Sequence, residues 1–219
     1  MIETGGNGAA SVPPSRMAWV AAQLRHDILS GSISPGTKLL SRALADRYSI
    51  SATPLREAMQ LLSAEGLVEV TPQHGARVAA VNLQEAEELY ELRLVLEPKA
   101  IRRSLRRAPD ERFADIEAAY TALVAAESAI DVGYFAVHNH YHRLMRMDCD
   151  SAWLLRIVDQ LTVNSERYRR LRAGEVHAVH EEHRGIRDGC LARDGVTVAK
   201  LMSQHIANTR DKIRDYRIS

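Results

Sequence analysis

The chain carries nine histidines in 219 residues, and four of them are spaced as metal ligands are. In HNHYHRLM, His138 and His142 stand four residues apart, so they share one face of a helix while His140 points elsewhere. EEHRGIRDGCLARD places His183 inside a second helical stretch, and LMSQHIANTR places His205 inside a third. A divalent ion needs imidazole nitrogens that converge from separate rigid elements. One i,i+4 pair plus single histidines from two neighbouring helices meets that need in a bundle. The same residues also suit solvated surfaces or hydrogen-bonded core positions, and that plainer reading is kept for His26, His140, His177 and His180. Glu181 and Glu182 adjoin His183 as possible acid–base groups, but the chain has no HExxH.

These residues must be positioned by helices, and from Asn82 onward every segment reads as helix. Asn82 caps the first, which reaches about Arg107 with Leu89, Leu92, Val95 and Leu96 expected inside. Pro109-Asp110 opens a second to about Ser128, Asp131 opens a third, and Ser151 caps a fourth to about Leu171. Gly174 precedes a fifth and Gly195 a sixth that ends near Tyr216. Short breaks between long amphipathic helices imply an antiparallel bundle over residues 82–219.

Composition agrees with a mostly helical globular protein: 46% of residues are hydrophobic and only 5% aromatic. Net charge is +1, so total charge neither supports nor excludes a nucleic-acid partner, and the placement of charge decides. Cys149 and Cys190 are far apart without a CxxC, which argues against a disulfide framework. No 18-residue apolar run and no signal-like N-terminus occur, so no membrane is expected and the location reads as cytoplasmic.

Residues 1–14 are rich in Gly, Ser and Pro and read as a disordered tail. Residues 15–81 follow a different plan. Ser15 caps a helix to Ser30, Gly31 ends it, and Pro35-Gly36 turns the chain. Ser41 then caps a short helix, Arg42 to Tyr48, and Ser51 caps a second with Pro54 in its first turn and Leu55, Met59 and Leu62 buried. Gly66 stops that helix; Leu67–Val70 and Arg77–Val81 alternate as strands around the tip Pro72-Gln73-His74-Gly75. Helix, turn, helix and two strands make a winged helix-turn-helix, whose second helix can enter a DNA major groove. Arg42 and Arg56 are exposed cations without an apolar role, Ser51 and Thr53 bring hydroxyls to the second helix's N-terminal turn, and His74-Gly75 permits close approach of a wing.

The stretch QLRHDILSGSISPGTKLLSRALADRYSISATPLREAMQLLSAEGLVEVTPQHGARV resembles the N-terminal domain of the GntR family of bacterial transcription regulators. The likeness rests on I-x-x-G-x-I-x-P-G, the Leu-Ala of the first short helix, TPLREA, and L-x-x-EGLV followed by an HG wing, a highly specific set. It implies DNA contacts at Arg42, Ser51, Thr53, Arg56, His74 and Gly75. Many members carry Arg directly before TP where this chain has Ala52, removing a contact of a kind worth about 1–3 kcal/mol.

LYELRLVLEPKAI, YHRLM, EEHRGIRDGCLARD and MSQHI resemble the FCD effector domain of the FadR subfamily, and the six-helix count is similar to its VanR-type branch. In metal-binding members an Asp or Asn one turn before a His is joined by two later His. The resemblance therefore implies a ligand set of His138, His142, His183 and His205, with His138 replacing the acidic or amide ligand. Four imidazoles suit Zn²⁺ or Ni²⁺. Such domains receive a small carboxylate beside the metal, for which Arg93 is the leading clamp, with Asn164 and Arg167, and then Arg156 and Tyr168, as further contacts. Arg93 equally suits a helix-surface ion pair with Glu97, Glu88 or Glu91, and Arg102, Arg103, Arg106 and Arg107 read as a solvated face.

The expected fold is thus mainly α, a winged helix-turn-helix followed by an antiparallel all-α bundle. The expected function is a DNA-binding regulator, a repressor in the leading reading. A homodimer would bind an inverted-repeat operator under control of a carboxylate effector. The alternatives are the same regulator with a purely structural metal and a small metalloenzyme acting on a carboxylate.

Overall fold

The computed structural model describes residues 15–73, 75–126, 132–170 and 180–215, and divides into two compact units, residues 1–28 with 32–79 and residues 29–31 with 80–219. The expected tail, His74 and His177 lie outside the described residues.

The first unit holds α1 (Arg16–Leu29), β1 (Lys38–Leu39), α2 (Ser41–Tyr48), α3 (Ala52–Ala64), β2 (Val68–Thr71) and β3 (Gly75–Val78). Val20, Ala21, Leu24 and Ile28 of α1, Leu44 and Tyr48 of α2, and Leu55, Ala58, Met59 and Leu62 of α3 form its apolar core. The helix-to-helix turn is closed by Ser49, whose left-handed φ of 52° brings its amide onto the carbonyls of Ala45 and Asp46. Ser41 is the first residue of α2 rather than its cap: Leu40 takes the capping position and makes no side-chain bond. Ser51 does sit at the N-cap of α3, yet its hydroxyl makes no capping bond either, so the Ala52 and Thr53 amides receive no side-chain cap from it. The wing is an antiparallel sheet in the order β1-β3-β2, with Val68 opposite Val78 and Thr71 opposite Gly75. The returning strand spans Gly75–Val78, and β1 was not legible in the sequence because two residues carry no periodicity. Gly75 holds φ +91°, a conformation that L side chains rarely adopt.

The second unit contains α4 (Leu83–Leu105), α5 (Asp110–Ala126), α6 (Val132–Leu144), α7 (Ala152–Arg170), α8 (His180–Leu191) and α9 (Gly195–Arg214). Asn82 caps α4 by accepting from the Gln84 amide at 2.9 Å. Asp194 caps α9; the Thr197 hydroxyl first, then the Thr197 and Val196 amides, donate to its carboxyl and hold it below the usual range. α4 and α9 run antiparallel: Gly195 lies against Arg102 and Leu105, while Arg214 reaches Glu87 at 2.7 Å. Tyr90, Ile101, Ile116, Leu123, Tyr141, Met145 and Ile186 are among the fully buried side chains of this core. Cys149 and Cys190 are free and buried, and burial pushes the Cys190 thiol up to about 12.

One inward stripe differs from expectation. Leu92 and Val95 are 50% and 68% exposed, whereas Tyr90, Arg93 and Glu97 are buried. The stripe through 86, 90, 93 and 97 is set by an ion pair rather than by aliphatic residues, and Leu92 and Val95 fall outside it. Among the described residues no helix is long and apolar enough to cross a membrane.

Candidate functional site

On the first unit, Arg42, Ser51, Thr53, Arg56 and Gly75 are all exposed. The cations of this unit fall into two groups. Arg25 grips Glu65 at 2.6 Å and Arg47 grips Asp27 at 2.7 Å, so those charges are spent on the fold. Arg42 and Arg56 have no ion pair among the described residues and remain available to an external anion. Ala52, where a cation was expected, is the exposed first residue of α3. Lys38 stands opposite Arg77 across β1 and β3, a cation pair on the wing that sequence reasoning missed along with β1 itself.

On the second unit, α6 presents His138 and His142, α8 presents His183 and α9 presents His205. All four are buried, and one nitrogen from each lies within 4.8 Å of the others. The Nε2 of His142 is 3.2 Å from the Nε2 of His138 and 3.2 Å from that of His183. Burial first, then neighbouring charges including Arg169 for His138 and His205 for His142, hold both imidazoles well below the usual 6.5. They are therefore neutral, with lone pairs to offer.

The surroundings orient this cluster. Glu182 accepts from His205 Nδ1 at 2.7 Å and from the Asn208 amide at 2.6 Å. Partial burial alone would raise the Glu182 carboxyl, but the His205 and Asn208 bonds outweigh it and hold the group below the usual range. With its proton on Nδ1, His205 keeps Nε2 as an acceptor. Arg93 lies beside the cluster, bonded to Glu97 at 3.0 Å and to the Ser165 hydroxyl at 2.9 Å. Glu97 is fully buried; desolvation would raise its carboxyl, yet Arg93 and Arg146 together bring it below the usual range. Both readings of Arg93 thus meet in one residue: it pairs with Glu97, and it lines the cavity at the cluster.

That cavity, lined by Arg93, His138, His142, Thr162, Arg169 and His205 among others, is about 10 Å³, the room that one water or ion needs. Sequence reasoning missed Arg169. Its Nη1 donates to His138 Nδ1 at 2.6 Å, and its Nη2 donates to Asn139 and Glu166 at 3.0 Å each. Asn164 and Arg167 were expected here and do not reach the cavity. Asn164 donates to the Gln160 carbonyl at 3.0 Å, and Arg167 is tied to Glu85 at 2.9 Å and to the Ala80 carbonyl at 3.3 Å. The physical reason is helical phase: Thr162, Ser165 and Arg169 share the face of α7 turned to the histidines, and positions 164 and 167 lie off it. Tyr168 bonds Glu85 at 2.5 Å, and Arg156 covers the Trp153 ring at 4.6 Å, so neither lines the cavity.

Both halves match known families. "Bacterial regulatory proteins, gntR family" matches residues 17–78, and "FCD domain" matches residues 88–208. The chain belongs to the GntR family. The HTH-type transcriptional regulator BphR of Paraburkholderia xenovorans is 32% identical over 89% of this chain and 83% of its own length. The HTH-type transcriptional repressor GlaR of Escherichia coli is 31% identical over 84% of this chain and 89% of its own. The structure of E. coli McbR/YncC covers 92% of this chain and 98% of its own with a TM-score of 0.80 at 19% identity, a likeness of fold. A GntR regulator from Rhodococcus sp. RHA1 gives 0.77 at 21% identity, over 93% of this chain and 100% of its own. This GntR member is a DNA-binding transcriptional regulator, and its relatives and fold are those of regulators rather than enzymes. Glu182 fits that conclusion: the carboxylate nearest in sequence to His183 that could act as a base is occupied in holding His205.

The histidine set passes a test of fit for a divalent ion. Four buried imidazole nitrogens converge with a carboxylate behind one of them, and among the described residues His142 Nδ1 is a buried polar atom without a hydrogen-bond partner. Two of the separations, 3.2 Å each, are close to the roughly 3.3 Å edge of a tetrahedron with Zn–N bonds of about 2.0–2.1 Å, while the set as a whole reaches 4.8 Å.

Proposed function

We propose that this regulator is a repressor whose operator binding is set by a small carboxylate taken up beside a divalent metal held by His138, His142, His183 and His205. The observation that carries the reading is the convergence of four buried imidazoles on one small cavity that two arginines also line. Zn²⁺ or Ni²⁺ suits an all-nitrogen donor set. A bound ion would supply a Lewis-acidic point for a carboxylate oxygen.

The protein's own residues do the rest. Glu182 fixes the His205 tautomer, and Arg93 is held rigid between Glu97 and Ser165. Arg169 Nη1 lies 2.6 Å from His138 Nδ1 and 3.4 Å from His138 Nε2, so a positive charge faces both ring nitrogens. A cation held by His138 would be repelled by Arg169 until that side chain moves away. An incoming carboxylate gives the Arg169 fork another partner and so links the two events.

On the DNA side, we assign Arg42, Ser51, Thr53, Arg56, His74 and Gly75 as contacts, with the Ala52 and Thr53 amides of α3 facing phosphate. Two copies reading an inverted repeat in the cytoplasm complete the proposal.

A thermal-shift series tests the effector reading. Chelator should lower the melting temperature, Zn²⁺ should restore it, and a small carboxylate should raise it only with metal present. A protein indifferent to chelator and metal overturns the proposal. The size of the cavity, about 10 Å³, favours a second reading, a purely structural metal. In that case His142→Ala lowers thermal stability but leaves the effector response of the folded fraction intact; in the first, the response is lost first.

A further inference from the structure

A second feature of the bundle lies outside the histidine site. α4 and α9 border an open groove of about 750 Å³ whose walls carry Lys99, Arg102, Arg103 and Arg106 from α4 and Lys200 from α9. Asp150 is the one acid among the residues that line it, and it is already engaged by Arg103 at 2.5 Å and Arg107 at 3.7 Å. Lys99, Arg102, Arg106 and Lys200 are exposed and have no side-chain partner among the described residues. Like charges spaced three and four residues apart repel along a helix, so this arrangement carries a standing cost that a polyanion would remove. Lys99, Arg102 and Arg106 span about 10 Å of helix, the length over which one DNA strand presents roughly three phosphates.

The other unit shows why such help matters. Residues 15–79 hold seven Lys and Arg against five Asp and Glu, a surplus of two. Three of those cations, Arg25, Arg47 and Arg77, are paired with acids of the same unit. Four remain, a thin footprint for a duplex with one negative charge per about 1.7 Å of its axis.

We propose that the α4–α9 groove is a second DNA-contacting surface, which holds the phosphate backbone of a duplex without reading its sequence. DNA is the occupant the observations favour, because the family places this protein on DNA and the groove offers unpaired cations in series rather than a shaped enclosure. The groove adds affinity and salt sensitivity; specificity stays with the reader.

The test uses the full chain and a random-sequence duplex of about 40 base pairs, with binding followed by fluorescence anisotropy across a salt series. Four variants are compared. One is the groove set Lys99→Gln, Arg102→Gln, Arg106→Gln and Lys200→Gln, and another is the reader set Arg42→Gln and Arg56→Gln. The third combines both. The last is a charge-keeping groove set, Lys99→Arg, Arg102→Lys, Arg106→Lys and Lys200→Arg. The groove set should flatten the slope of log K against log salt by about 2–3, at about 0.9 per lost contact. The reader set should retain binding that the combined set abolishes, and the charge-keeping set should match wild type. Equal slope and affinity in wild type and groove set overturn the proposal. So does a groove that binds inorganic triphosphate in wild type only, with DNA binding unchanged, which would make it a small-anion site. If the groove set melts early, the charge-keeping set decides: a slope that differs from wild type with all charges kept also overturns it.

Discussion

Two neutral histidines sealed in a helical bundle make stability fall at a mild acidity, where carboxylates are still ionised. His138 and His142 are both held well below 6.5, burial being the first cause. In the unfolded chain each titrates at about 6.5. Below that pH the unfolded state binds protons that the folded state refuses, so the stabilising contribution is whole above pH 6.5 and is lost as pH falls below it. Between pH 6.5 and 5.5 each group costs about 1 kcal/mol, about 2 kcal/mol for the pair. With a urea dependence of about 2 kcal/mol per molar, the unfolding midpoint should drop by about 1 M. The assay is urea unfolding followed by circular dichroism from pH 7.5 to 5.5, with chelator present so that metal release does not contribute. His138→Gln with His142→Gln should remove most of the slope. A flat profile would refute the reasoning. So would imidazole ring signals that titrate near pH 6.5 in the folded protein, a measurement that stands even if the double variant does not fold.

Glu182→Gln should weaken Zn²⁺ binding by about 10–100-fold in a chelator competition, because the His205 Nδ1 proton loses its charged acceptor; unchanged affinity would detach His205 from the metal proposal. Glu97→Gln leaves Arg93 and Arg146 buried without their shared carboxylate, and should cost about 3–5 kcal/mol in urea unfolding. Arg56→Gln, at an exposed position, should reduce the salt slope of DNA binding by about 1 while leaving the melting temperature unchanged.

The fold was readable wherever the chain's punctuation is strong. Asn82 accepts from the Gln84 amide, Gly66 takes a positive φ after α3, and Pro109-Asp110 leads into α5, each as its residue type demands. Readability failed where the stabilising partner is distant. Leu92 and Val95 look like core residues by type, but the inward face of α4 is occupied by Arg93 and Glu97, whose burial depends on Ser165 and Arg146, 72 and 49 positions away. Periodicity scores a charged residue as exposed unless its partner is known.

The same limit divides the candidate site. The four histidines were findable because two lie one turn apart and the others fall in separate helical stretches, and the folded chain does bring all four together. Arg169 was not findable: its neighbour Arg167 looks equivalent on paper, and only the phase of α7 against α6 sends one to His138 and the other to Glu85. This distinction bears on mechanism. On the proposed metal reading, the Arg169 guanidinium, 2.6 Å from His138 Nδ1 and 3.4 Å from its Nε2, opposes a cation on His138, whereas Arg93 reaches Glu97 and Ser165 rather than a histidine nitrogen. Arg169→Gln should therefore tighten Zn²⁺ binding and weaken the response to a carboxylate, whereas Arg93→Gln should weaken the response without tightening the metal. Equal effects of the two substitutions on Zn²⁺ affinity, measured by chelator competition, would show that Arg169 is only another wall of the cavity.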